Sequence, residues 1–362
     1  VGEGEEARSV NATVIVPFHR NLSQLQFCLS AIRHSMPSIE ILVVADGARD
    51  DCAPVAAAHD ARVIVVPGPS GPAVARNRGA AEATGDVLIF VDADVVVAAD
   101  ALPRLLAAMA EDRSVAAIFG AYDHAPAARN FMSQFKNLSH TYVHEMAERQ
   151  ASTFWAGLGA VRADAFRAVG GFDERFTRPS VEDIDLGYRL TAAGRAIRLD
   201  PAVRGCHLKR WTLWNCVVTD LVARGIPWTQ MIYRYHALTN DLNMRYALRW
   251  SVVAACGAVA LACAAIWTPW AWLGVALALT MLVALNFDFY RWFARERGPL
   301  FALRVVPAHF LHHVCNGVSL VVGTTVYLAS RAGVVLPGAL PMATWPASCI
   351  DADVGHRLAS RS

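Results

Sequence analysis

Gly85-Asp86-Val87-Leu88-Ile89-Phe90-Val91-Asp92-Ala93-Asp94, residues 85–94, is the stretch from which the fold can be read. The apolar run Val87–Val91, bounded by Gly-Asp and by carboxylates, predicts a short strand buried on both faces. Such a strand belongs to a sheet whose crossovers are helices. The carboxylates then stand at its carboxyl end, where open α/β sheets take their ligands. Asp92 and Asp94, one residue apart, suit a hard divalent cation that also holds phosphate oxygens. A polar turn closing a strand is the other reading, and the pair alone does not separate them.

The same pattern repeats upstream. Thr13–Val16 is a β-branched run stopped by Pro17; Glu40–Ala45 ends at Asp46-Gly47; Arg62–Val66 stops at Pro67-Gly68-Pro69. Helical spacing covers Leu22–Ile32, Cys52–Ala58 and Gly71–Thr84 between them. Alternating β and α predicts a parallel sheet with Asp46 and Asp92 on one edge. Downstream, Asp100–Met109 reads as a helix capped by Asp100, Ala116–Ala121 as a strand, and Asn130–Gln150 as a polar, aromatic helix. Trp155, Gly157, Gly159, Gly170 and Gly171 enrich Phe154–Phe172 in glycine and aromatics, which permits close backbone approach to a ligand or simply turns.

Ser180-Val181-Glu182-Asp183 opens a helix running to Gly194, with Ser180 as N-cap and Asp183 completing a near capping box. Acidic residues favour a helix N-terminus without any further role. Three carboxylates, Glu182, Asp183 and Asp185, nevertheless exceed what a cap needs, and one that faces a pocket can act as a general base. His207, Lys209, Arg210, Trp211 and Trp214 form a basic-aromatic cluster. It reads as a membrane-interface anchor or as a clamp for a leaving diphosphate. Thr212–Arg224, apolar at Leu213, Trp214, Val217, Val218 and Leu221, has the spacing of a helix lying in the interface plane.

The chain of 362 residues is long enough for more than one domain, and its 55% hydrophobic content is concentrated after Trp250. A net charge of +2 without a long basic run gives no sign of nucleic acid as a partner. The cysteines (Cys28, Cys52, Cys206, Cys216, Cys256, Cys263, Cys315, Cys349) include no C-x-x-C pair, so neither a zinc site nor a disulfide framework is expected. Reduced, buried thiols fit a cytosolic face. Val1–Ser9 has no apolar core and is not expected to be a signal peptide. Val at position 1 fits a GTG start or a trimmed chain.

Ser251–Ile266, flanked by Trp250 and Trp267, and Trp270–Phe287 are separated only by Thr268-Pro269 and predict a helical hairpin. Each is about 17 or 18 residues, near the lower limit for a span. Val305–Ala329 is a third apolar run, interrupted by Pro307, His309, His312, His313 and Asn316. Arg234, Arg245 and Arg249 precede the first run, and Arg291, Arg295, Arg297 and Arg304 lie between the second and third. The positive-inside rule then puts the N-terminal region and the Arg-rich loop in the cytoplasm. His309, His312 and Asn316 share a helical face, with His313 beside it. They either bind a lipid phosphate or line an acceptor path, or else pack into the cytoplasmic domain near the interface.

Taken in order, VIVPFHR, VVADGARDD, GPAVARNRGAAEATGDVLIFVDADVVV, WAGLGAVRADAFRAVGGFDERF, VEDIDLGYRL and HLKRW resemble the inverting, membrane-bound nucleotide-sugar glycosyltransferases of family 2. The resemblance covers about Ala12 to Trp228. It implies a GT-A fold: a doubly wound, mostly parallel α/β sheet, here followed by an interfacial helix and about three transmembrane helices. By that resemblance Asp46 would read the nucleotide base, with Pro17 and His19 lining the same pocket and Arg76 near the nucleotide or phosphates. Asp92 and Asp94 would form the D-x-D pair, Asp94 the more direct ligand of Mg²⁺ or Mn²⁺. Asp183 would deprotonate the acceptor hydroxyl, with Glu182 positioning it. Gly157, His207, Lys209, Arg210 and Trp211 would attend the diphosphate or acceptor.

Processive synthases of the family carry Q-x-x-R-W, whereas this chain has His207-Leu208-Lys209-Arg210-Trp211. That departure and the small number of spans favour a single transfer, from a nucleotide diphosphate sugar (UDP-sugar foremost) to a lipid or lipid-linked acceptor at the inner membrane. A small processive synthase, an inactive nucleotide-sugar-binding module and a transporter are the competing readings. The expected organisation is a disordered tail (1–10), a catalytic domain (11–205), an interface segment (206–249), a transmembrane region (250–331, spans near 250–267, 270–287 and 305–330) and a tail (332–362).

Overall fold

Val14, Ile15 and Val16 have no solvent exposure at all, and neither do Leu42–Val44 or Val87–Val91. Burying each such side chain is worth roughly 1.5–3 kcal/mol, so these runs become the central strands of a sheet covered on both faces. The computed structural model describes residues 11–236, Leu242 and 245–340. The tail expected over 1–10, the end of the C-terminal tail from 341 and Cys349 lie outside the described residues. The chain divides into two compact units: Val1–Asp123 with Arg149–Leu208, and His124–Glu148 with Lys209–Ser362. The helix expected inside a continuous catalytic domain thus belongs with the C-terminal helices.

In chain order the elements are β1 (Ala12–Phe18), α1 (Leu22–Ser35), β2 (Glu40–Asp46), α2 (Ala53–Ala57), β3 (Arg62–Val66), α3 (Pro72–Glu82), β4 (Val87–Val91), β5 (Val95–Val97), α4 (Ala101–Glu111), β6 (Val115–Tyr122), α5 (Phe131–Glu145), β7 (Gln150–Ala151), β8 (Leu158–Arg162), α6 (Ala163–Ala168), α7 (Glu182–Ala192) and β9 (Ala196–His207). They are followed by α8 (Leu213–Val218), a π-helix (Thr219–Gly225), α9 (Ile226–Tyr235), α10 (Tyr246–Ala264), α11 (Ala271–Leu285), α12 (Phe287–Arg297) and α13 (Pro299–Arg331).

The first unit holds one sheet of order β3-β2-β1-β4-β8-β6-β9-β5, with β7 on β9. β3, β2, β1 and β4 are parallel, so the ends of β1, β2 and β4 share one edge, as expected. The strand order reverses between β1 and β4, which is the switch point where such sheets open a crevice. The sheet is not wholly parallel, because β8 runs antiparallel to both β4 and β6. Pro17 does not stop β1. Pairing with β4 ends at Ile15↔Phe90 while pairing with β2 continues to Phe18, so Pro17 lies where the strand has a neighbour on one side only.

In the second unit α5 lays Phe135 and Leu138 against Phe289, Tyr290 and Phe293 of α12 and Ala302 and Val305 of α13. Among the described residues, α10 and α13 are long and apolar enough to cross a membrane; α11 with α12 qualifies only as a pair bent by 63°. Of the straight span expected over 270–287, α11 covers Ala271–Leu285 and the chain then turns by 63° into α12. The break falls at Asn286, whose buried amide donates to Ser251 Oγ at 2.7 Å and to Leu282 O at 2.8 Å. The third span starts at Pro299, before the expected 305, and carries Pro307 inside it. The interfacial helix expected over 212–224 is α8 continued by the π-helix. Leu213, Trp214, Val218 and Val222 face outward, while Cys216 and Asp220 are buried.

Candidate active site

The end of β1 turns at Pro17-Phe18-His19, and His19 Nδ1 lies 2.9 Å from the carbonyl of Asp46, so that nitrogen carries the proton. Asp46 closes β2 and is buried; its carboxylate accepts from the N–H groups of Ser70 and Gly71, each at 2.7 Å. Pro17, His19 and Asp46 therefore meet at one corner of the sheet edge, with the 67–71 loop laid across it. Gly71 caps α3 at φ 102°, and a Cβ there would lie 2.6 Å from the Thr177 backbone, so only glycine fits.

α3 carries the Ala75-Arg76-Asn77-Arg78-Gly79 motif. A Cβ at Gly79 would run into Ile15, so glycine lets the helix lie directly on β1. Asn77 donates to Phe172 O at 2.8 Å and accepts from Phe172 N at 2.9 Å, tying α3 to the segment before α7. Arg76, only 4% exposed, donates to Asp92 Oδ1 at 2.8 Å and to Glu182 Oε1 at 2.9 Å. Its ring neighbour is Phe172, 5.3 Å from the guanidinium. Burial alone would ease its proton off, but Asp92, Glu182 and Asp183 outweigh that and keep it cationic. The guanidinium expected near phosphate thus holds two carboxylates together.

Asp92 follows β4, and its N–H donates to Gly157 O at 3.1 Å. A Cβ on Gly157 would strike the Trp155 indole at 2.5–2.7 Å, which explains the glycine at that spot. Asp94 sits in the turn before β5. That short strand pairs antiparallel with β9, Val95 opposite His207, and so returns His207 to the carboxylate. His207 Nε2 is 3.3 Å from Asp94 Oδ2, and its ring stacks on Tyr122 at 4.6 Å. Burial pushes the Cys28 thiol up, with Asp94 and Asp92 adding to it, so Cys28 stays protonated and is no nucleophile.

No group of three or more His, Cys, Asp or Glu side chains suited to a metal gathers among the described residues. Asp94 and His207 fit a cation differently. Two ligands each about 2.0–2.2 Å from one ion stand roughly 3–3.5 Å apart, which is their spacing here. A hard oxygen and an imidazole with open positions suit an ion that completes its shell with phosphate oxygens.

At the start of α7 the three carboxylates have separate partners. Asp185 is wholly buried against Arg189, at 2.8 Å from Nε, and Glu182 is taken by Arg76. Asp183 is the partly exposed member, accepting from Ala156 N at 3.3 Å and from Ile184 N at 2.8 Å. Ser180 is not the cap: that position is Val181, without a side-chain bond, and Ser180 instead donates its N–H to Glu182 Oε2 at 2.8 Å. Glu182 folds back on the turn because Arg76 holds its other oxygen.

The basic-aromatic cluster is divided between the units. His207 closes β9, whereas Lys209, Arg210 and Trp211 belong to the helical unit. There Lys209 Nζ lies 3.9 Å from the Trp211 ring centroid, and Trp211 N donates to Ser133 Oγ at 2.7 Å. Arg210 is exposed. Sequence reasoning missed β9 itself, the Asp94–His207 pair and the anchoring role of Asn77.

Residues 13–170 match the model of Glycosyl transferase family 2. The pre-mycofactocin glycosyltransferase of Mycobacterium tuberculosis (strain ATCC 25618 / H37Rv) is 31% identical over 216 residues, 56% of this chain and 44% of that protein. The match thus spans less than half of that relative. The undecaprenyl-phosphate mannosyltransferase of Micrococcus luteus is 28% identical over 198 residues, 51% of this chain and 79% of its own length. Among solved structures, the mannosyltransferase PcManGT from Pyrobaculum calidifontis, in complex with GDP-Man and Mn²⁺, superposes with a TM-score of 0.53 at 17% identity. That superposition covers 89% of this chain and 88% of the other, and it supports the shared fold.

Proposed function

We propose, from the match of residues 13–170 to Glycosyl transferase family 2, that the chain is an inverting transferase moving a sugar from a nucleotide diphosphate sugar to a lipid or lipid-linked acceptor. The observation that carries this reading is the division of carboxylates at α7. Glu182 and Asp185 are committed to arginines, while Asp183 keeps partial exposure beside the Ala156 N–H. A single displacement needs one base and no enzyme nucleophile. The acceptor oxygen bonds to the anomeric carbon, the bond from that carbon to the diphosphate breaks, and Asp183 takes the hydroxyl proton.

Pro17, His19 and Asp46 form the corner for the nucleotide, the free face of His19 being its Nε2 side. Asp94 and His207, with Asp92 beside them, would hold Mg²⁺ or Mn²⁺. A bound cation supplies charge neutralisation for the leaving diphosphate. Gly157 gives the diphosphate room next to the Asp92 backbone. Outward-facing Leu213, Trp214, Val218 and Val222 suit an interfacial helix, which supports an acceptor reached at the membrane surface. The arginines of α12 favour an inner-membrane protein with the sheet unit in the cytoplasm.

The test is nucleotide release from a panel of sugar nucleotides by the detergent-solubilised chain with Mn²⁺ or Mg²⁺ and membrane lipid extract. Asp183→Asn is expected to lower turnover by about 10²–10⁴-fold while nucleotide binding stays near wild type. Full turnover in that variant removes Asp183 from the base role. Metal-dependent nucleotide binding without release from any donor would instead favour a binding module.

A further inference from the structure

We propose that Arg76 is a positioning residue that joins the cation side of the site to the base side, rather than a ligand of the donor phosphates. This rests on the transferase reading above. The two terminal nitrogens of its guanidinium go to different carboxylates: one to Asp92, two residues before Asp94, the other to Glu182, one residue before Asp183. Its side chain is 5% exposed and that of Glu182 is 6% exposed, so neither charge is screened by water. The second oxygen of Glu182 is occupied by the Ser180 N–H at 2.8 Å. Arg76 Nε is buried, and the ring of Phe172 lies against the guanidinium. The charge is thus enclosed and spent on the protein's own acids.

The bridge starts from a rigid base. Gly79 seats α3 on β1, and Asn77 binds the Phe172 backbone from both sides, so Arg76 projects from a fixed helix. From there one planar fork sets the distance between the end of β4 and the first turn of α7. Without it, buried Glu182 and half-buried Asp92, of like sign, stand uncompensated next to two more carboxylates, Asp94 and Asp183. Repulsion would then displace the turn that carries Asp183. A lysine cannot replace it, because one ammonium on a flexible stem does not present two fixed, divergent donors.

The experiment is a double-mutant cycle on the full chain in detergent, with Arg76→Met, Glu182→Gln and the pair, reading kcat and donor affinity separately. Arg76→Met removes the fork that fixes the Asp183 turn against the end of β4, so it is expected to lose about 100-fold or more in kcat. The nucleotide Kd should move by less than about threefold, since the lost contact is not to the donor. The double variant should be no worse than Arg76→Met by more than about threefold, because both changes remove the same bond. Arg76→Lys should not restore kcat; it also serves as the arm of the cycle if Arg76→Met fails to fold. Losses that multiply, or a nucleotide Kd raised about tenfold with kcat unchanged, would overturn the positioning role in favour of a phosphate contact. Wild-type turnover with multiplying losses sinks Arg76 alone. No wild-type turnover sinks the transferase reading, and the positioning role with it.

Discussion

Asp220→Asn should destabilise the helical unit sharply, and a second substitution should repair it. Asp220 stands in the π-helix, 8% exposed. It receives Lys136 Nζ of α5 on one oxygen and His312 Nδ1 of α13, at 2.8 Å, on the other. Burial by itself would raise its carboxyl, but Lys136 and His312 hold it well below the usual range. Asn keeps the shape and one acceptor, so His312 retains a partner. The new amide presents N–H groups to an ammonium, and the loss falls on Lys136. Leaving one member of a buried pair alone costs about 3–5 kcal/mol. Lys136 also lies 6.0 Å from the Trp211 ring and its side chain is 14% exposed, which points to the lower end. At about 3 kcal/mol the melting temperature in detergent should fall by roughly 6–12 °C. Lys136→Met combined with Asp220→Asn removes both charges and should recover most of the loss. A single variant melting within about 2 °C of wild type, or a double variant as unstable as the single, would refute the reasoning.

His124 lies between two acids, with Nδ1 3.0 Å from Glu296 and Nε2 2.7 Å from Glu145, so the geometry requires both nitrogens to be protonated. Burial lowers its pKa, and the two carboxylates raise it by more. A raised folded pKa gives stability that is complete below the unfolded value of about 6.5 and is lost as pH rises through the folded one. Melting temperature should therefore drop across that alkaline window, and Glu145→Gln with Glu296→Gln should flatten the drop; a pH-independent wild type would disprove the link. Asp94→Ala should weaken metal-dependent nucleotide binding by at least about tenfold, measured by titration with and without chelator. Binding that stays tight and chelator-insensitive would remove Asp94 from the cation.

Val87–Val91 stands as read because burial on both faces leaves no polar position to blur its ends. Arg62–Val66 also stands as read, although it is a part-exposed edge strand, because its β-branched run is stopped by Pro67-Gly68-Pro69. β9 was not legible. Its buried residues alternate, but Arg198, Asp200 and Arg204 on its other positions, with Pro201 among the buried ones, resemble a loop. Missing β9 hid His207 from Asp94, since only the pairing of β5 with β9 brings them together. Carboxylates at strand ends were readable because topology alone gathers them. The ties made by Arg76 and Asn77 were not, because they are contacts between side chains whose partners lie far along the chain. Composition likewise found the apolar helices but not the bend at Asn286, a single polar residue inside an apolar run.

The excursion of residues 124–148 into the helical unit has a consequence for how this chain can be divided or exchanged. The path passes from one unit to the other after Asp123, returns after Glu148 and leaves again after Leu208. A cut at 208 that discards the C-terminal helices does not liberate a clean soluble domain. It strips α12 and α13 from α5 and bares Phe135 and Leu138 to water, leaving a sticky helix on the remaining fragment. Gene fusion or recombination at a single breakpoint meets the same obstacle. The sheet and its helical companion are interleaved in sequence and have to be inherited, grafted or replaced together.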